Sequence, residues 1–101
     1  MRDAVEQGDV LKIDRINVPV LTVSKNFFNQ TGEIIGCPMY NSGEPGVLHK
    51  SVDNEKLKGV VHCEKLTLFD LNARHYSKVG RIAMSDIVEI TDTIQSIFDY
   101  I

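Results

Sequence analysis

The chain has 101 residues, 43% of them hydrophobic and 25% charged, and carries a formal net charge of −3. That length fits a single domain over residues 1–101 with a modest core, one that gains from a partner subunit. The acidic balance argues against broad, sequence-independent nucleic-acid binding, and the absence of any run of about 18 apolar residues argues against a membrane span. The opening stretch from Met1 to Asp9 is polar and has no apolar signal core, so a cytoplasmic location is expected.

Taken in chain order, Val10 to Asp14 reads as a short strand introduced by Gly8-Asp9. Val18 to Ser24 is a second, β-branched strand, with Pro19 near its start where a missing donor does least harm. Asn26 to Gly32 is a polar turn. Glu33 to Cys37 is a third strand ending at Pro38, and Met39 to Gly46 is a loop rich in Gly, Pro, Asn and Ser. Val47 to Val52 alternates as a fourth strand, with His49 and Ser51 opposite Leu48, Lys50 and Val52. Asp53 to Lys56 is a turn, and Lys58 to Lys65 is a fifth strand. Asp70 is placed to cap a short helix over Leu71 to Tyr76, with Arg74 pairing it across one turn. Lys78 to Ala83 is a last strand. Ser85 then caps a final helix whose apolar stripe runs through Ile87, Ile90, Ile94, Ile97, Phe98 and Ile101. The fold class that follows is mostly β: a small, strongly curved antiparallel sheet closed by a C-terminal helix.

Charge is uneven along the chain. His49, Lys50, Lys56, Lys58, His62 and Lys65 crowd the middle, while Asp86, Glu89, Asp92 and Asp99 gather at the end. Cys37 and Cys63 form no C-x-x-C pair and follow apolar runs, which predicts buried, reduced thiols. No spacing of zinc ligands is present, and neither metal nor cofactor is expected. The most chemical stretch is Gly59-Val60-Val61-His62-Cys63-Glu64-Lys65. Strand alternation puts His62 and Glu64 on one face, two residues apart, where a buried strand has little need for titratable groups.

Seven punctuations in order carry a resemblance. They are Gly8-Asp9-Val10; Val18-Pro19-Val20-Leu21-Thr22-Val23-Ser24; Phe28-Asn29; Thr31-Gly32; Cys37-Pro38; Gly59-Val60-Val61; and Asp70 followed by Arg74. Together they resemble the PemK/MazF family of toxins from type II toxin–antitoxin systems. The resemblance implies a dimeric, SH3-like barrel fold shared with CcdB toxins. It also implies metal-independent cleavage of single-stranded RNA and a cognate antitoxin as partner. The chain departs from the family pattern in two places. The loop between the first two strands is cut to Asp14-Arg15-Ile16-Asn17, with Val18 where an arginine precedes the proline, and no threonine follows Pro38 in Met39-Tyr40-Asn41-Ser42.

Cleavage of RNA through its own 2′-hydroxyl needs a base, an acid and a donor or cation at the phosphate. His62 and Glu64 are the candidates for the proton transfers, and Arg15 for the missing arginine, against a surface ion pair with Asp14 or Glu33. Tyr40, Asn41, Ser42 and Lys65 are candidates for base stacking and phosphate contact, with Lys25 and Asn26 as weaker ones. The alternative reading keeps the fold but replaces catalysis by protein binding, for example to DNA gyrase through the end of the last helix at Phe98, Tyr100 and Ile101. A third reading is an unrelated small β-barrel interaction domain.

Overall fold

The computed structural model describes residues 4–98. At its centre, β1 (Asp9–Ile13) and β2 (Val20–Thr22) pair antiparallel, with Val10 opposite Leu21 and Leu11 opposite Val20. All four residues are buried, and they divide between two cores. Val10 and Leu21 face one apolar cluster, Leu11 and Val20 the other. A strand covered on both faces suits apolar and β-branched residues, and β2 buries all of Val20, Leu21 and Thr22.

β3 (Glu33–Tyr40) is the long organising strand. One edge pairs with β2. The other pairs first with β6 (Thr67–Asp70) and then with β5 (Lys58–His62), and β4 (His49–Asp53) joins β5. With β7 (Tyr76–Arg81) on β1, the strand order is β4-β5-β3-β2-β1-β7, and β6 lies off this path. The two outer ends curl toward each other: Asn54 Nδ2 donates to Arg81 O at 3.2 Å, and Leu57 packs against Gly80. The sheet is open but barrel-like.

The third strand therefore does not end at Pro38; it continues through Met39 to Tyr40. Met39 N–H donates to Pro19 O at 2.9 Å, so the alternate donor position, at Pro38, points to the other edge. There β6 has already left, after Gly36, and β5 has not yet joined, before Met39. A proline without an N–H fits that gap. Gly36 serves the same crossover, since a Cβ there would lie 2.3 Å from Val20 Cγ1.

The short helix expected at Leu71 to Tyr76 is absent. Thr67–Asp70 is a strand, residues 71–75 are turn, and Tyr76 opens β7. Asp70 does act on the following backbone, but its Oδ1 accepts Asn72 N–H at 2.9 Å in a local turn. The same side chain suits a helix cap and such a turn, and a six-residue helix gains little against the cost of its nucleation. Phe69 and Leu71 instead both enter the second core. No Asp70–Arg74 ion pair forms among the described residues, and Arg74 Nη1 donates to Asp14 O at 3.3 Å. At Asn26–Asn29 the expected turn is a single helical turn, α1.

α2 (Met84–Phe98) crosses one face of the sheet and seats Ile87 and Ile90 in the first core, with Ile94 partly packed against it. Each such buried aliphatic contributes roughly 1.5–3 kcal/mol. Ile97 and Phe98 are exposed, so the expected stripe stops short of its last turn, and Tyr100 and Ile101 lie outside the described residues. Ser85 is inside the first turn. Ala83 O instead accepts the first helical bonds, from Asp86 and Ile87 N–H. Among the described residues no helix is long and apolar enough to cross a membrane.

At the β1–β7 end the buried Asp9 carboxylate is fully partnered. Arg81 Nη1 lies at 2.7 Å, Lys78 Nζ at 3.2 Å, and Glu6 N–H donates to it at 2.8 Å.

Candidate active site

The antiparallel register of β4 and β5 sets His49 directly opposite His62. Directly opposed side chains in a sheet share a face at close range, and the two imidazoles stack with centroids 3.7 Å apart and planes 16° from parallel. Tyr40 pairs with Val60 across β3 and β5, which places it diagonally beside His62 on the same face. Its ring centroid lies 4.4 Å from that of His62. The other face of these strands carries Met39, Val52 and Val61 into the first core, and Lys50 reaches Glu89 of α2 at 3.6 Å. The stack thus stands on a floor anchored to the helix.

β5 ends at His62, and the chain turns. Cys63 N–H donates to Leu48 O at 2.9 Å and Lys65 N–H to His62 O at 3.2 Å. The turn carries Glu64 round to His49, with Oε2 3.0 Å from Nε2. A carboxylate only accepts, so His49 Nε2 holds the proton of that bond. Lys65 Nζ donates to Tyr40 Oη at 3.3 Å and sits 5.0 Å from the ring centroid.

Electrostatics separate the members. The His62 imidazole is held below its ordinary pKa by burial first, and then by the neighbouring His49 and Lys65, which favours its neutral form. Its Nδ1 is covered by protein and has no hydrogen-bond partner. Glu64 is held below the usual carboxylate range, chiefly by the hydrogen bond from His49. The His49 and Glu64 side chains remain 34% and 35% exposed, so solvent and ligands reach the pair.

The sequence itself carries a known pattern. Residues 7–98 match the family of PemK-like, MazF-like toxins of type II toxin-antitoxin systems. The chain belongs to this family. No curated protein matches it closely enough in sequence to report, but solved structures match in fold. The MazF of a MazE–MazF crystal structure from Deinococcus radiodurans aligns with a TM-score of 0.86 at 16% identity, covering 95% of this chain and 97% of that one. An endoribonuclease from a mycobacterial species aligns at 0.81 and 16% identity, covering 95% and 92%. A mycobacterial endoribonuclease in complex with its cognate antitoxin aligns at 0.82 and 15% identity, covering 97% and 100%.

In this PemK/MazF-family chain the structure gathers Tyr40, His62, Glu64 and Lys65. Asn41 and Ser42 follow Tyr40 and line an adjoining cavity of about 190 Å³ with Ser51, Lys58 and Val60. Glu64 takes His49, not His62, as its hydrogen-bond partner. Three candidates lie elsewhere. Arg15 occupies the turn after β1 at φ 70°, beside Asp14, Ala73, Arg74 and His75, and β2 and β3 separate that strand from β5. Lys25 flanks α1 and borders a groove along α2 with Met84 and Val88. Asn26 Oδ1 accepts Gln7 N–H, a structural contact. A cavity of about 600 Å³ borders the second core at Val5, Leu71 and Tyr76, away from the imidazoles.

The residue missed in sequence is His49. Its strand alternation is visible, but its partner depends on how the hairpin closes. Only the observed pairing of Asp53 with Lys58 brings His49 opposite His62.

Proposed function

We propose that this toxin-family chain is an endoribonuclease that cleaves single-stranded RNA without a metal. The observation that carries the reading is the solvent-reached group of two stacked imidazoles and a carboxylate, with an aromatic ring and an ammonium beside it. Neutral His62 takes the proton of a ribose 2′-hydroxyl, and the 2′-oxygen attacks the adjacent phosphorus. The P–O5′ bond breaks, and a His49 imidazolium, held by Glu64, gives a proton to the departing 5′-oxygen and becomes neutral. The products are a 2′,3′-cyclic phosphate and a 5′-hydroxyl. Lys65 stabilises the phosphate charge, and Tyr40 stacks a splayed base. Within one chain Arg15 follows β1, two strands removed from β5, and this scheme assigns it no role.

A cognate antitoxin as inhibitor and a homodimer as the working form belong to the same reading. The solved mycobacterial complex supports the first. Exposed apolar side chains, among them Phe27 and Met84, are consistent with a covered surface. Purified protein incubated with mixed-sequence RNA in excess chelator tests the cleavage: fragments ending in cyclic phosphate are expected, and RNA left intact overturns the reading. Supercoiling by gyrase is expected to be unaffected.

A further inference from the structure

We propose that His49, His62 and Glu64 form a binding site for a divalent transition-metal ion of the zinc class, and that an ion bound there shuts the RNA chemistry off. The second half rests on the endoribonuclease reading; the binding itself does not.

Each of the three residues offers one ligand atom, and these atoms lie within 4.8 Å of one another. Two imidazole nitrogens and a carboxylate oxygen are a donor set that zinc takes with a fourth position left to water. Nitrogen donors favour zinc-like ions over magnesium or calcium. The ligands come from separate places: the start of β4, the end of β5 and the turn beyond it. Strand register fixes the two histidines, and the turn delivers the carboxylate, so the set is invisible as a sequence spacing.

The fit requires rearrangement of side chains, not of backbone. Bonds of roughly 2.0–2.2 Å to a tetrahedral ion put ligand atoms about 3.3–3.6 Å apart. The His49–Glu64 contact, at 3.0 Å, is already short enough to open around an ion. The stacked rings must turn so that their lone pairs converge. His49 and Glu64 are half-exposed and free to do so. His62 Nδ1 has no hydrogen-bond partner to give up. Binding balances in either charge state: an imidazolium His49 gives its Nε2 proton to water, and a neutral one moves it to Nδ1, as nitrogen and carboxylate turn from each other onto the ion. Lys65 stands beside the site as an opposing charge and disfavours the ion. Once the ion is bound, both imidazole lone pairs are committed, so His62 can no longer act as the base nor His49 as the acid of that scheme.

Calorimetric titration of zinc into the chelator-stripped full chain, without RNA, tests the site directly. Cobalt(II) absorption reports its coordination. One saturable ion per chain is expected. His49→Ala and Glu64→Gln should each weaken binding by at least about tenfold, the least that loss of even an outer-shell partner costs a metal site. Lys65→Met should tighten it. Circular dichroism melts confirm that each variant is folded. No saturable binding, or binding indifferent to both substitutions, overturns the site. Cleavage assays with zinc and with chelator then test the switch: inhibition reversed by chelator supports it, and undiminished cleavage by the zinc-loaded chain overturns it. Zinc binding by a chain that leaves RNA intact even in chelator keeps the site and discards the endoribonuclease reading.

Discussion

Asp9 and His62 are both ionisable side chains enclosed by strands, one at the β1–β7 end of the sheet and one at the β4–β5 end, and they are treated oppositely. Asp9 is 4% exposed, and its oxygens meet Arg81, Lys78 and the Glu6 amide. His62 stacks on His49 and Tyr40, yet its Nδ1 is enclosed without a partner. A satisfied buried charge tethers strands; an unsatisfied imidazole at a reachable edge is a group with capacity left for a ligand. Between these two ionisable groups, the completeness of partnering separates scaffold from chemistry.

The sharpest way to break that contrast is to exchange the phenotypes. His62→Ala should lower RNA cleavage by about a hundred- to ten-thousand-fold, the range for a general acid–base group. It should cost only about 0.5–1.5 kcal/mol per lost ring contact with His49 and Tyr40, since no side-chain hydrogen bond goes with it. Asp9→Ala should do the reverse. We expect a loss of about 3 kcal/mol in urea denaturation. This is the low end for a broken buried pair, because Lys78 and Arg81, 34% and 49% exposed, can turn to water. Cleavage per folded molecule should stay the same. A destabilised His62→Ala with normal activity would place both residues in the scaffold.

Much of this division was legible in the sequence, for identifiable reasons. The helix stripe from Ile87 to Ile94 and the apolar runs of β1, β2 and β5 declare themselves because burial dictates their periods. The sequence suggests a helix after Asp70 because that residue suits a cap and a local turn equally, and only the free edge of β3 makes Thr67–Asp70 a strand. Pro38 was read as a strand end because the gap between β6 and β5 that accommodates it is a tertiary feature. At the site, His62, Glu64 and Lys65 are near neighbours in sequence and were found together. His49 was not, since one step in hairpin closure decides which strand residue faces it. Arg15 was chosen by proximity to a shortened loop, a criterion blind to strand order.

Beneath the cluster lies a third kind of titratable group. The Cys37 thiol is fully buried and is pushed up from an ordinary 9.0 to about 12, by burial first and then by Cys63 and Glu64. Between those values the unfolded chain releases the proton and the native chain keeps it, so stability falls as pH rises. By about pH 10 the loss is about 1.4 kcal/mol relative to neutral pH. Urea denaturation at about pH 8 and about pH 10 should show a steeper alkaline decline in the native sequence than in Cys37→Ala. Equal slopes would mean that the thiol is less enclosed than the floor of the cluster requires.

The smallest effect belongs to Lys65, whose ammonium rests on Tyr40 at the rim. An exposed contact of this kind contributes only about 0.5–1 kcal/mol, so Lys65→Gln should barely shift the melting temperature. If the ammonium faces a phosphate when RNA binds, the substitution removes one counterion-releasing contact. The slope of log affinity against log salt should then shrink by about 0.7, with affinity reduced mainly at low salt. Binding to a non-cleavable 2′-deoxy oligonucleotide across a salt series measures this without turnover. An unchanged slope with a lowered melting temperature would assign Lys65 to the Tyr40 contact alone, and the reachable edge would then begin at the imidazoles.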